Sequence, residues 1–420
     1  MRILLITYDS NMYINYFPLG VAYVAAKLQM EGHKVEVYPQ DVYHYPEGHL
    51  TSYLTDNHFD IVGVGMCAGY YQYSKLLKIM EAIPVGIEIW VGGHMVSGAP
   101  DYFRDKLKRA TIFEGEFDYK EDLNDIPFPA WDLFAVDYYS LIRLPHSANS
   151  DRCFPVLSGR GCPYRCNFCY RMEEGYRPRT IGHIVEEIQY LRKKYRISYV
   201  DFADELLMVN PDRTMQISEA LKPLGIKWMC NGRLNIARPK ILQTMKQAGC
   251  VFINYGIESV DDEVLEKMNK KLTVKQITSG VEATLEADIS PGLNMLWGNL
   301  GDTRETLWKA VDFLIKYDDQ AQLRTIRPVT PYPGCALYDY AIEKGLLKDA
   351  QDFYENKCKN SDLLSVNFTE LADDEFYREL YKANLALIDN YYRQAKQRVY
   401  HQAYNLYLNA DTSFRGFRQT

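Results

Sequence analysis

No apolar run in the 420-residue sequence approaches the ~20 residues that a membrane-spanning helix needs. Nor is there a basic patch of the kind that grips nucleic acid. The net charge is −7, and the densest basic stretch, Arg192, Lys193, Lys194 and Arg196, falls at the end of an expected helix, where cations suit the helix dipole. There is no internal repeat at a solenoid period and no low-complexity tract. The opening MRILLITYDS has no small-residue cleavage site behind it, so it reads as a first β-strand and a cytoplasmic protein is expected. In that setting the nine cysteines do not imply a disulfide framework. What remains is ordinary for a globular protein of two or three domains: 47% hydrophobic and 25% charged residues.

Through residue 116 the chain alternates two patterns. Short runs rich in Ile and Val, at 3–7, 34–38, 61–66, 88–91 and 110–113, are separated by segments with apolar residues three and four apart, at 19–31, 74–82 and 99–107. Such alternation predicts a Rossmann-like parallel sheet with helices on both faces, and ligands at the carboxyl ends of its strands. Glycines follow several strand ends, at Gly65, Gly69, Gly92, Gly93 and Gly115. Residues 117–150 read as a linker, in which 122–134 holds two prolines and no helical period.

A second alternating block covers 151–330. Strands are expected at 155–158, 199–203, 227–231, 252–257, 293–297 and 323–327, with helices at 181–195, 217–224, 239–248, 274–287 and 304–317. Six β/α units are too few for a closed eight-stranded ring, so the α/β fold class here is a partial (β/α)6 barrel, active at the carboxyl ends of its strands. Residues 331–420 form a helical C-terminal region, expected to close the open side of the barrel.

The stretch Ser158-Gly-Arg-Gly-Cys162-Pro-Tyr-Arg-Cys166-Asn-Phe-Cys169 begins where the first barrel strand is expected to end. Closely spaced thiolates suit zinc or an iron–sulfur cluster. A structural zinc site usually has four ligands, and the nearest later candidate, His183, lies on an expected helix with no partner beside it. Three thiolates on a cubane leave one iron open for another ligand. Polar residues recur at later strand ends: Asp204 and Glu205, Asn231 and Arg233, Glu258 with Ser259, and Arg327. Any of these alone could be a helix cap or a surface charge.

The C-x3-C-x2-C spacing, with Phe168 before the third cysteine, resembles the radical S-adenosylmethionine superfamily. An upstream Rossmann-like domain resembles its cobalamin-dependent branch. The matching segments there are 17–20, 64–71, 91–94, 114–116, 128–131 and 330–334. The resemblance implies a 4Fe–4S cluster on Cys162, Cys166 and Cys169, with S-adenosylmethionine held by Phe168, Asp204, Glu205, Asn231, Arg233, Glu258 and Arg327. It implies cobalamin in domain 1–116, contacted by Leu19, Gly20, Gly65, Cys67, Ala68, Gly69, Tyr70, Tyr71, Gly92, Gly93, His94, Glu114 and Gly115. The glycines would let backbone approach a large flat ligand.

No Asp-x-His-x-x-Gly pattern offers a histidine to cobalt, and the linker starts sooner after Glu116 than the family usually allows. Implied partners are a small-molecule or natural-product substrate and an electron donor such as flavodoxin or ferredoxin. The expected activity is methyl transfer to an unactivated carbon. Alternatives are a radical cyclase, oxidase or rearrangement enzyme, a radical enzyme whose first domain holds a substrate or partner instead of cobalamin, and a plain electron carrier. Cys335, just past the sixth barrel strand, is a candidate acid–base or hydrogen-donor residue, against a reading as a plain buried cysteine.

Overall fold

The computed structural model describes residues 1–67, 69–117, 121–414 and 416–417. Five parallel strands form the first sheet: β1 (Arg2–Thr7), β2 (Lys34–Pro39), β3 (Ile61–Gly65), β4 (Glu88–Gly92) and β5 (Ala110–Ile112), in the order β2-β1-β3-β4-β5. β1 shows why both faces are covered. Leu4 and Ile6 pack on one side with Leu50, Leu54 and Leu76, while Ile3 and Leu5 pack on the other with Ala25 and Leu28 of the helix Leu19–Met30. A helix at Glu47–Asp56 has no counterpart in the sequence expectations. It buries only Leu50 and Leu54, one contact per turn, too few to register as a period.

The second sheet contains β6 (Cys153–Val156), then β9 (Tyr199–Phe202), β10 (Lys227–Gly232), β11 (Cys250–Glu258), β12 (Ser290–Trp297) and β13 (Ile326–Pro328). These six run parallel in the order β13-β12-β11-β10-β9-β6, and β7 (Gly159–Arg160) pairs antiparallel with β8 (Arg177–Pro178) outside them. The expected α/β architecture, a parallel sheet followed by an open barrel and a helical C-terminus, is what the chain forms.

Two strands are displaced from expectation for local reasons. β6 ends at Val156 because Ser158 turns away to the Asp204 carboxylate, its backbone N–H donating at 2.6 Å. β13 starts at Ile326 because Arg324 is held aside by Asp318 at 2.9 Å and Asp319 at 2.6 Å.

Apart from irregularities at Val251 and Ile257, the strands alternate between two surroundings. Val200, Phe202, Trp228, Cys230, Ile253 and Tyr255 face the helices. Tyr199, Asp201, Met229, Asn231, Phe252, Asn254, Gly292 and Asn294 face the lumen by the same register. Residues before β6 plug the narrow end: Leu144 and Ile142 pack on Cys153, Tyr199 and Met229, and the Tyr199 hydroxyl donates to the Pro145 carbonyl at 2.8 Å.

The C-terminal region divides its work. Residues of 341–366, including Leu347, Phe353, Tyr354 and Val366, complete the core of the first sheet rather than covering the barrel. The long helix Asp373–Leu408 lies on the barrel, with Phe376 stacked on Trp297 at 4.0 Å. At its centre the Asn384 amide accepts from the Ile326 N–H at 2.8 Å and donates to the Ile326 carbonyl at 3.0 Å, standing in for the strand that β13 lacks. An Asn384→Leu variant leaves both backbone groups unpaired and is expected to lose about 2 kcal/mol, read as a lower denaturant midpoint at unchanged slope.

Candidate active site between two facing sheet edges

The cysteine loop is fastened at many points. Asp204, 1% exposed, takes the Ser158 N–H and hydroxyl on its two oxygens, and the Arg213 guanidinium donates to the Ser158 carbonyl at 2.7 Å. Farther along, the Asn167 N–H donates to the Met268 carbonyl at 2.9 Å, and the Asn269 amide to the Arg165 carbonyl at 2.6 Å. The amides of Asn167 and Asn299 exchange hydrogen bonds, each 3.1 Å long.

Cys162 and Cys166 are half-buried and Cys169 is exposed. Protein surroundings still push the Cys169 thiol up to about 12, by desolvation first and then by Cys166, Cys162 and Glu205. The three sulfurs therefore share one space, yet among the described residues no three Cys, His, Asp or Glu side chains converge as a single bare ion requires. His183 is no fourth ligand: it stacks on Phe128 with ring centroids 4.7 Å apart. Three thiols spread round a common space suit a multi-iron cluster better than one zinc.

Around that loop the strand-end residues take different positions. Glu205 keeps accessible surface while protein surrounds it, as a cavity-lining carboxyl does, and burial followed by Glu116 and Glu173 pushes it up to about 7. The Arg233 guanidinium lies 3.6 Å from the centre of the Tyr164 ring, in the cysteine loop. It donates to the carbonyls of Lys270 and Lys271, and its Nε is buried without a partner. Glu258 adopts φ of 69° and pairs with Lys270 at 3.1 Å. Gly256 leaves room for that carboxylate, since a Cβ on it would lie 2.3 Å from Glu258 Oε1. The Lys270 ammonium also sits 5.7 Å from the centre of the Phe168 ring.

Thus Phe168, Glu205, Arg233 and Glu258 gather at the cysteine loop. Asp204 instead braces the loop, with both oxygens engaged, and Arg327 lies outside, exposed and paired with Asp362 at 3.1 Å. Asn231 donates to the Asp204 carbonyl at 2.7 Å. Cys335 is 1% exposed among Val329, Leu337 and Phe168, and burial raises its thiol to about 11. A thiol so enclosed is a packing residue, and the acid–base role expected for it finds no support. Lys270 and Asn299 were not legible as site residues because they lie far from the loop in sequence, and Tyr164 and Asn167 because the cysteine spacing leaves the residues between the cysteines unspecified.

The carboxyl edge of the first sheet faces this loop. His94 meets Tyr170 edge-on with centroids 5.9 Å apart, and Glu116 pairs with Arg160 at 3.0 Å. Burial lowers the His94 pKa, favouring the neutral ring. Cys67 and Tyr71 lie on the same edge, with the Cys67 thiol facing the Tyr8 phenol. Ala68 lies outside the described residues, as does the side chain of Tyr70.

The glycines do not all serve a ligand. A Cβ on Gly93 would lie 2.4 Å from the Met66 carbonyl oxygen, so this glycine admits the protein's own backbone. On Gly65 it would touch Val21 at 3.4 Å and on Gly92 Phe113 at 3.8 Å, and on Gly69 it would collide with the Gln72 side chain. Gly20 and Gly115 have open space beside them. Leu19 is buried in the barrel-side core, and Glu114 is exposed and paired with Arg104.

Residues 156–314 match the radical SAM superfamily. An uncharacterized methyltransferase of Pyrococcus horikoshii is 26% identical over 79% of this chain and 79% of its own length. The anaerobic magnesium-protoporphyrin IX monomethyl ester cyclase of Cereibacter sphaeroides is 29% identical over 43% of this chain, which spans only 30% of that protein. Among solved structures, the radical S-adenosylmethionine methyltransferase TsrM of Kitasatospora setae, with cobalamin and a [4Fe-4S] cluster bound, superimposes with a TM-score of 0.64. It is 15% identical, over 82% of this chain and 78% of that one. Fold and cysteine loop together define a radical S-adenosylmethionine enzyme. Residues 156–314 carry the match to the radical SAM superfamily, and the fold of the chain is shared with that cobalamin-holding structure. The superfamily's cofactors are a 4Fe–4S cluster and S-adenosylmethionine. No helix among the described residues is long and apolar enough to cross a membrane.

Asn299 tests the bracing. Asn299→Ala removes both amide bonds to Asn167, and a loop so released is expected to give up iron several-fold faster to a chelator, at a stability cost of about 1–2 kcal/mol.

Proposed function

We infer that the chain is a cobalamin-dependent radical methyltransferase acting on an unactivated carbon of a small molecule. One observation carries this reading: the carboxyl edges of two parallel sheets, each the ligand-binding edge of its fold, face each other across the cysteine loop.

In this reading Cys162, Cys166 and Cys169 would hold the cluster, which would supply the electron that cleaves S-adenosylmethionine. The buried, partnerless Nε of Arg233 is a ready donor for the methionine carboxylate, with the guanidinium already fixed on Tyr164. Glu205 receives the methionine amino group, a role that Asp204 cannot share while Ser158 occupies it. Glu258 and Lys270 neutralise each other beside Phe168 and shape the remaining wall. Gly20, Cys67, Tyr71, His94 and Gly115 would hold the cobalamin, which would supply a methyl group there.

When bound, the cluster and S-adenosylmethionine supply a 5′-deoxyadenosyl radical and cobalamin supplies a methyl group. The protein's own task is to hold the two faces together and keep water from the gap, which Tyr170, His94 and the Glu116–Arg160 pair do at its rim. The electron comes from a reduced flavodoxin or ferredoxin, and the chain's free cysteines fit a reducing cytoplasm. Cyclisation without methyl transfer is the second reading, since one relative is a cyclase.

Protein purified anaerobically from cobalamin-fed cells is expected to hold about four irons and about one cobalt per chain. Turnover should release S-adenosylhomocysteine together with 5′-deoxyadenosine. Deoxyadenosine alone would point to cyclisation or another radical reaction, and iron without cobalt would end the cobalamin reading. Arg233→Lys loses the planar fork and is expected to weaken S-adenosylmethionine binding about ten- to a hundredfold, measured by equilibrium binding to reconstituted enzyme.

A further inference from the structure

Above its apolar floor the barrel lumen is polar, and none of the roles assigned so far uses that polarity. Asp201 pairs in register with Pro155 of β6 and Met229 of β10, so its side chain shares their face, away from the helices. The one charged group acting on it is Asp204, of like sign. Burial and that neighbour raise its acid to about 6, which leaves a carboxylate near neutrality with no ion-pair partner among the described residues. Tyr16, from the first domain, is close enough to feel the same charge.

Beside Asp201 runs a chain of amides across three strands. Asn294 donates to Asn254 Oδ1 at 3.1 Å, Asn254 donates to Asn231 Oδ1 at 3.0 Å, and Asn231 ends on the Asp204 carbonyl. Room for it is built in, since a Cβ on Gly292 would lie 2.6 Å from Asn254 Oδ1. Asn294 is exposed in the middle of an interior strand, between Leu293 and Met295, each 2% exposed. Surface at that position belongs to a cavity inside the barrel. Each rung spends one N–H on its neighbour and keeps the second, and Asn294 Oδ1 has no protein donor among the described residues.

We propose that this lumen seats the substrate and selects a polar small molecule bearing a protonated amine, with the ammonium on Asp201 and hydroxyl or amide groups along Asn294, Asn254 and Asn231. The proposal rests on the radical-enzyme reading and names the substrate class of that site. A flat apolar molecule would leave the amides and the carboxylate dry and unpaired, and an anion would meet Asp201 and Asp204 together. The ladder fixes direction as well. It is anchored at the Asp204 carbonyl, and Glu205 follows in the chain, so a ligand lying along it is drawn toward the cysteine loop.

The test uses enzyme reconstituted with its cluster and S-adenosylmethionine, titrated calorimetrically with hydroxyalkylammonium ions and with neutral alcohols and amides of the same shapes. Ammonium probes are expected to bind more tightly than their neutral counterparts. Asp201→Asn should cut ammonium binding about tenfold or more, while neutral probes and S-adenosylmethionine move less than about twofold. Asn294→Ala, at an exposed position that cannot unfold the barrel, should weaken hydroxyl-bearing probes several-fold and simple alkylammonium ions little. Equal binding of charged and neutral probes would overturn the proposal. So would an Asp201→Asn loss that falls on S-adenosylmethionine, since the carboxylate would then belong to that ligand's seat. Neither readout needs cobalt or methyl transfer, so failure here is distinct from failure of the methyltransferase reading.

Discussion

The six barrel strands do not close a ring, since β6 and β13 do not pair, and most of this molecule answers that geometric fact. An open barrel has two raw edges and a lumen that would fill with water. At β13 the edge is met by a single side chain, Asn384, whose amide copies the donor and acceptor of a missing strand. On the β6 side, the first domain lends Phe17, Leu19 and Tyr23 to the barrel core, and Phe17 packs on Phe154 with centroids 4.6 Å apart. That contact brings the two domains into one orientation. The shared orientation sets the two ligand-binding edges face to face.

The same constraint separates structural carboxylates from open ones. Asp204 and Glu205 are adjacent in sequence at one strand end and end up opposite in use. Asp204 is consumed in holding the chain where it leaves β6, while Glu205 faces the cavity. Asp302 repeats the first pattern at the end of β12, accepting the N–H groups of Gly298 and Asn299. Acid at a strand end is therefore poor evidence of chemistry until its hydrogen bonds are counted. Here the count leaves Asp201 and Glu205.

Much of the fold could be read from the sequence because it is periodic. The helix Ile181–Tyr195 was legible to the residue, since Ile184, Ile188 and Leu191 mark one stripe and Thr180 caps its start. The cysteine loop was legible from spacing alone. Glu47–Asp56 was not, having only two buried anchors, Leu50 and Leu54, in ten residues. Lys270 and Asn299 reach the loop from about a hundred residues or more downstream, and Asp201 became visible only when strand register showed which face it shares. Position in the chain left Cys335 open between a chemical role and plain burial, and the side chain is 1% exposed. Gly93 misled because a glycine that makes room for backbone looks in sequence like one that makes room for a ligand.

The first sheet's core is finished by residues that come more than two hundred positions later. Phe353, Tyr354 and Val366 pack with Leu76, Ile79 and Phe103, and the Tyr354 hydroxyl donates to the Met95 carbonyl at 3.3 Å. A ribosome building this chain delivers the whole barrel before it delivers those side chains. The N-terminal domain therefore emerges with an apolar flank uncovered and stays so until the barrel has been made, against the usual order in which the leading domain folds first. Assembly of the ligand-binding gap is thereby tied to the arrival of the C-terminal segment, and a prematurely ended chain presents neither a finished first domain nor a partner face for the cluster.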